Sequence, residues 1–239
     1  MKGKKLVMVG DHRQLPPMLD TKTLEEVSQE IGSTNTELQL LQESLFKIHF
    51  ETANDSIKKM LNIQYRMHPI IMGAINQFYH GKLECGILKP DTERAHNLAG
   101  KIIKESHHII WVKTPIEKKF LEEQERNGTS YFNTQEIDAI VRLCKQFETT
   151  WASKVANGKP KKEIAVITFY GDQLRKIDER LQSELFPSLQ ITTGTVDRFQ
   201  GMERPVVIVS MVRNNSRGDV GFAKKPERVN VAFSRAQNY

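Results

Sequence analysis

The chain has 239 residues, 38% of them hydrophobic and 27% charged, the make-up of a globular protein of one or two domains with enough length for a sizeable core. A formal charge of +6 and a pI near 9.2 favour polyanionic partners without requiring them. Cys85 and Cys144 are too few and too far apart for a disulfide framework or a zinc site, and no secretory leader or run of ~18 apolar residues occurs, so the expectation is a cytoplasmic or nuclear protein with no membrane partner.

In chain order, Lys4-Lys-Leu-Val-Met-Val-Gly10 reads as a buried strand, with Asp11-His-Arg-Gln-Leu-Pro-Pro17 as the loop at its C-terminal end. A strand this apolar needs neighbours on both sides, so the start is expected to be cut from a larger fold. Two helical patterns follow, through Leu24, Val27 and Ile31, then Leu38, Leu41, Leu45 and Ile48, with Ser33–Thr36 as a polar linker. Leu61–Pro69 (LNIQYRMHP) leads into a helix that begins at Pro69 and carries Ile70, Ile71, Ala74, Ile75 and Phe78, which places Gln64, Tyr65 and Arg66 on a strand-to-helix connection. Gly81 to Asn127 is irregular and charged, an expected loop or insertion, with Ile109–Val112 a candidate strand. Asn133-Thr-Gln-Glu136 has the form of a capping box opening a helix that includes Cys144 on its apolar face, a core position rather than a nucleophile.

The strand expected at Ile164–Tyr170 is followed by a helix from Gly171 to about Leu185, and Gln190–Thr195 by the stretch Thr195–Arg213 (TVDRFQGMERPVVIVSMVR). That stretch is polar first, turns at Gln200-Gly201, and then enters the β-branched run Val206–Val209. Its polar residues therefore sit at the mouth of a sheet, where open α/β sheets bind ligands, although such a turn also has a purely structural use. A last helix covers Arg228–Arg235. Strands alternating with helices in this way predict an α/β fold with a mostly parallel sheet and helices on both faces.

Four stretches, Gly10–Pro17 (GDHRQLPP), Gln64–Pro69 (QYRMHP), Thr195–Glu203 and Val229–Ala236 (VNVAFSRA), resemble in order and content motifs III, IV, V and VI of superfamily 1 helicases, nearest to the group of the nonsense-mediated-decay and senataxin-type helicases. The resemblance implies a RecA-like, P-loop NTPase architecture in which ATP sits between two domains and a single strand of RNA or DNA crosses them. Residues 1–50 then correspond to the last strand and trailing helices of the first RecA-like domain, and 51–239 to most of the second. Gln14 is similar to the glutamine that senses the γ-phosphate, and Arg66 and Arg235 to the arginine fingers. Tyr65 resembles the ring that stacks on adenine, Glu203 with Gly201 the nucleotide-holding turn, and Thr168 and Thr195 the hydroxyls that contact the nucleic-acid backbone. His68 and Asp197 are expected to make local hydrogen bonds.

The chain departs from that family by lacking Gly-x-x-x-x-Gly-Lys-Ser/Thr and the acidic motif that binds magnesium, so Mg2+ and the phosphate cradle are expected from an N-terminal RecA-like domain of the same protein. Phe169 stands where relatives often have proline. A catalytically inactive nucleic-acid-binding or scaffold relative, and the helicase part of a nuclease–helicase fusion, are the alternatives.

Overall fold

The computed structural model describes residues 5–16, 44–100 and 102–239. Its contacts divide the chain between Leu61 and Asn62, rather than at the expected 50/51.

In the first unit, the strand expected at Lys4–Gly10 is not formed: Lys5–Gly10 lies in no sheet, and Leu6, Val7 and Val9 are 61%, 88% and 86% exposed. The physical reason is the one the sequence raised, since an apolar strand is stable only between neighbours and none of the described residues pairs with it. Helix α1, Leu45–Thr52, packs through aromatic rings instead of Leu45, which is exposed. His12 lies against Phe50 with ring centroids 5.0 Å apart, and Phe46 stacks on Phe50 at 5.8 Å. Gly10 fits beneath Phe46, where a Cβ would lie 2.9 Å from the ring. Leu24, Val27, Ile31, Ser33–Thr36, Leu38 and Leu41 fall outside the described residues.

The second unit is built on a parallel three-stranded sheet in the order β6 (Leu189–Thr195), β5 (Lys162–Thr168), β7 (Val206–Ser210). Ahead of it come β1 (Ile63–Gln64), α2 (Pro69–Ile75), β2 (Glu84–Cys85), the four-residue α3 (Pro90–Glu93), β3 (Glu123–Gln124), β4 (Tyr131–Phe132) and α4 (Thr134–Ala156). The main strands are β5 (Lys162–Thr168), β6 (Leu189–Thr195) and β7 (Val206–Ser210), with α5 (Gly171–Gln182) and α6 (Pro226–Phe233) around them. Strand side chains alternate between faces, and the core divides accordingly. Ile164, Val166, Val206 and Ile208 join Ile140, Cys144 and Phe147 of α4 and Ile177 and Leu181 of α5 on one face. Val207 joins Ile71 and Ile75 of α2 and Phe233 of α6 on the other. Helices thus cover both faces, as the pattern predicted.

Local chemistry explains the starts and stops. Pro69 occupies the first turn of α2, where its missing N–H costs nothing, and the His68 imidazole accepts from Ile70 N–H as the N-cap. Cys144 is fully buried, and burial pushes its thiol up to about 12, which confirms it as core. α5 stops at Gln182 rather than Leu185, whose side chain is 90% exposed. Ile109–Val112 forms no strand; Trp111 and Val112 are exposed while Ile110 packs on the core.

The capping box at α4 is only half present. Asn133 Oδ1 accepts from Gln135 and Glu136 N–H, but Glu136 does not reach back to Asn133 N–H, which donates instead to Gln173 Oε1 at 2.8 Å. Glu136 is spent on the end of β7: it accepts from Ser210 Oγ at 2.5 Å and from Val212 N–H at 3.0 Å. Asn133 Nδ2 adds bonds to the carbonyls of Phe120 and Val212. With Asn133, Gln173 and Ser210 buried, these bonds lie where water cannot replace them. Asn133→Ala should lower stability by about 2–4 kcal/mol, the cap plus the orphaned carbonyls, read as a fall in urea midpoint at unchanged slope.

Candidate functional site

The C-terminal ends of the parallel strands bring three hydroxyls into register: Thr195 lies beside Thr168, and Thr168 beside Ser210. Ser210 is committed to Glu136 and Gln173. Thr168 is fully buried and its Oγ1 has no hydrogen-bond partner, while Thr195 is half-buried at the sheet mouth. After β6 the chain turns through Gly201, whose φ of +82° is the left-handed conformation that glycine adopts without strain. That turn delivers Glu203.

Around Glu203 the structure brings together two of the sequence-predicted residues, Arg66 directly and Arg235 through the adjoining Met202 carbonyl. Arg66 Nε pairs with Glu203 Oε2 at 2.5 Å, and its Nη1 donates to the Ser234 carbonyl at 3.3 Å. Gln237 Nε2 donates to the other Glu203 oxygen at 3.0 Å. Arg235 follows α6 and turns inward: it is 1% exposed, with Nε donating to Val231 O, Nη1 to Met202 O and Nη2 to Ser234 Oγ. The two arginines therefore bracket Ser234. Tyr65, next to Arg66, is 64% exposed, and its ring lies over Gly86, where any Cβ would collide with it.

Gln14 belongs to the first unit, where its Nε2 donates to Asp11 Oδ2 at 2.8 Å. Asp197 pairs with Arg228 at 3.1 Å, a local contact as expected.

Several residues that hold this region were given no role from sequence. Gln64 Oε1 accepts from the N–H of Arg66 and of Met67, both at 2.9 Å, and its Nε2 donates to Met67 O. Ser234, Gln237, Gly86 and Arg94 belong to the same set. A glutamine at the end of an apolar strand, just before an exposed Tyr-Arg pair, was the available signal for Gln64. Arg94 carried none, since it lies in a stretch that reads as solvated insertion.

Two ion pairs on this unit differ sharply in setting. The side chains of Arg66 and Glu203 are 35% and 44% exposed, so their attraction is screened and contributes about 0–1 kcal/mol. Arg213 and Glu122 are 6% and 8% exposed and meet at 3.0 Å, with Arg213 also donating to Asp219 at 2.9 Å and lying 4.2 Å from the Tyr131 ring. Burial alone would depress the Arg213 pKa, but its bonds to Glu122, Tyr170 and Asp219 hold it raised. This second pair is internal structure.

Beneath α2, His68 Nε2 and Asp91 Oδ1 are 3.0 Å apart, and the His68 and His108 rings stack with centroids 3.4 Å apart at 5°. His68, Asp91 and His108 have the proximity of metal ligands. The geometry does not fit one. His68 Nδ1 already accepts from Ile70 N–H, so its Nε2 carries the proton that Asp91 accepts, and in-plane lone pairs of parallel stacked rings do not converge on one ion. The group is a hydrogen-bonded brace, completed by His108 Nδ1 donating to Asn238 O at 2.6 Å.

A family model described as "AAA domain" matches residues 41–239. The DNA replication ATP-dependent helicase/nuclease DNA2 of Xenopus laevis is 29% identical across 98% of this chain, which covers 22% of that protein. The regulator of nonsense transcripts 1 homolog of Neurospora crassa is 30% identical across 98% of this chain, which covers 20% of it. An uncharacterized ATP-dependent helicase of Methanocaldococcus jannaschii is 30% identical across 99% of the chain, here 32% of the relative. The chain thus spans between a fifth and a third of the length of these relatives.

The two ion pairs predict opposite responses to truncation. Arg213→Ala should lower stability by about 3–5 kcal/mol, because it leaves Glu122 buried and unpaired, whereas Arg66→Ala should stay within about 1 kcal/mol. Urea unfolding of both variants checks this.

A pH response follows from the imidazoles. Desolvation lowers His108, helped by His68 and opposed by its bond to the Asn238 carbonyl and by Asp91; it also lowers His96, helped by His108 and Lys162. Both fall below their ordinary value of 6.5, so the unfolded chain takes up protons that the folded chain resists. Stability is full above that value and declines as the pH drops below it. His108→Asn keeps an N–H for the Asn238 carbonyl while removing one titration, and should flatten the decline in urea midpoint between about pH 7 and pH 5.

Proposed function

Because the chain belongs to the superfamily 1 helicases as a C-terminal RecA-like region, we propose that it supplies one wall of an ATP site and part of a single-strand track in an ATP-dependent nucleic-acid helicase. The observation that carries the reading is the convergence of Arg66, Glu203, Ser234 and Gln237, with Arg235 also bonded to Ser234 and the exposed Tyr65 preceding Arg66 in the chain.

ATP fits these residues chemically. Tyr65 offers an open aromatic face for adenine, held over a glycine that leaves room for the ring. Arg66 rests on a carboxylate partner that it can exchange cheaply for phosphate, because a screened pair of about 0–1 kcal/mol competes poorly with bidentate arginine–phosphate bonding. Glu203, once released, is free to accept from a ribose hydroxyl. ATP brings the phosphoryl group whose charge builds up on transfer, and catalysis of that transfer is mostly positioning and cations. Arg66 and Arg235 supply the cations. Arg235 must exchange its carbonyl and hydroxyl acceptors to reach a phosphate, which makes its arrival a closing step rather than a standing contact.

The magnesium ligands and the phosphate cradle belong, in this reading, to an N-terminal RecA-like domain, to which residues 5–16 contribute the last strand and Gln14. The exposed Leu6, Val7 and Val9 are the side chains that sheet would bury. A strand of RNA or DNA crosses the sheet mouth at Thr195 and Thr168. Thr195 is half-buried there and open to contact, whereas the fully buried Thr168 hydroxyl, short of one hydrogen bond, would meet the strand only where the mouth opens above it. Free Cys85 and Cys144 suit a cytoplasmic or nuclear setting.

The test is nucleic-acid-stimulated ATPase of the full-length protein. Arg66→Ala and Arg235→Ala should each lower turnover by ~10³ or more, by arginine-finger magnitudes, with single-strand affinity in the absence of nucleotide retained. Full turnover in both variants overturns the reading.

A further inference from the structure

The segment that carries Tyr65 and Arg66 is held from outside by α3. Arg94, which follows the last residue of that turn, donates Nε to the Arg66 carbonyl at 2.6 Å and Nη2 to the Tyr65 carbonyl at 2.7 Å, while Nη1 bonds Glu93 O at 3.1 Å. Three residues earlier, on the same side of the turn, Asp91 accepts from His68 Nε2 at 3.0 Å. One short turn therefore grips positions 65, 66 and 68 together. From inside, Gln64 binds the amides of Arg66 and Met67, and Gln237 O accepts from His68 N–H at 2.9 Å.

The Arg94 bonds fall on consecutive peptide carbonyls. Those two peptides set the direction of the Tyr65 ring and of the Arg66 guanidinium, and a planar guanidinium holds two acceptors in a fixed fork as no other side chain does. Resting on the proposed function of Tyr65 and Arg66, we infer that Arg94 is a positioning residue that locks the base-stacking ring and the phosphate-binding arginine into one rigid unit. It touches neither nucleotide nor nucleic acid. Its effect is to make adenine binding and γ-phosphate contact rise and fall together.

Gly86 separates the two functions. A Cβ there would meet the Tyr65 ring first, with the Ile63 Cγ2 methyl 2.8 Å away and no atom of Arg94 among its nearest neighbours, so it displaces the ring and spares the carbonyl fork. Gly86→Ala should raise the KM for ATP with little change in kcat. Arg94→Ala should raise KM and lower kcat, reducing kcat/KM by about 10²-fold, the cost of misplacing a reacting group by roughly 1 Å. Arg94→Lys, with donors but no fork, should recover part of both.

The experiment measures kcat and KM for ATP in the full-length protein with saturating single-stranded nucleic acid, beside the thermal midpoint and the nucleotide-free affinity for that strand. Hydrogen–deuterium exchange of residues 64–68 in this chain gives a readout without ATP, and Arg94→Ala should speed it while exchange in α4 and β5 is unchanged. The inference stands if kcat and KM both shift, Lys rescues in part, and midpoint and strand affinity stay at wild-type values. Unaltered kinetics in Arg94→Ala overturn it, as does unaltered exchange. Loss of activity accompanied by a fallen midpoint and no rescue by Lys also overturns it, since that marks a merely structural residue. Arg66→Ala distinguishes the levels: if it loses turnover while Arg94→Ala does not, only this inference fails, and if it keeps full turnover, the site reading beneath it fails.

Discussion

Glu136 places a carboxylate where β7 ends, and its bonds to Ser210 Oγ and Val212 N–H decide how the chain leaves the sheet. Burial raises its pKa, and the bonds to Ser210 and to the Val212 and Met211 amides only partly offset that, so the group is costly where it stands. What it holds is costly too. Val212 has φ of +69°, a left-handed conformation that a β-branched residue adopts at about 1–3 kcal/mol. The carboxylate on its amide and Asn133 on its carbonyl over-determine that conformation. The kink then sends Arg213 and Asn214 to Glu122, so strand end, helix cap and charged insertion are fixed by one network.

A unit closed in this way keeps its strained geometry away from its exchangeable contacts. The buried Arg213–Glu122 pair cannot be given up, because either partner left alone would cost several kcal/mol. The half-exposed Arg66–Glu203 pair can, because water takes over most of its attraction. Arg235 stands between the two cases. Its guanidinium is buried and donates to the Val231 and Met202 carbonyls and to the Ser234 hydroxyl, bonds it must break together to turn outward.

The sequence made the second unit legible wherever periodicity and burial coincide. The run Val206–Val209, the phase of Ile137, Ile140, Val141 and Cys144, and Pro69 at a helix start all rest on local rules and needed no tertiary information. Lys5–Gly10 fails for the opposite reason: its composition is that of a buried strand, but a strand exists only through its neighbours. Glu136 was misread because a capping box and a long-range carboxylate share the same local pattern, and only the fold puts Ser210 within reach. At the candidate site, motif order put forward Arg66 and Glu203, which the structure brings into contact, and Tyr65 beside Arg66 in the chain, whereas the residues bonded around them carried no such mark. Gln64, Arg94 and Gln237 act on backbone carbonyls and amides, groups every residue carries, so no sequence pattern marks their targets.

That reliance on side chains gripping backbone follows from how little regular structure the site contains. β1 and β2 pair over two residues each, too few for a ladder to stiffen the segment beyond them. Nearly all the rigidity of residues 65–68 must come from individual bonds: about 0.5–1.5 kcal/mol for the neutral ones from Gln64, and about 1.5–3 for those from a charged donor such as Arg94. A loop held by so few bonds is stiff only while each is made, and those from Arg94 arise from the residue that ends one four-residue turn. The rigidity of residues 65–68 is therefore set largely by α3 and Arg94 after it, a piece of the chain that contributes no strand to the main sheet.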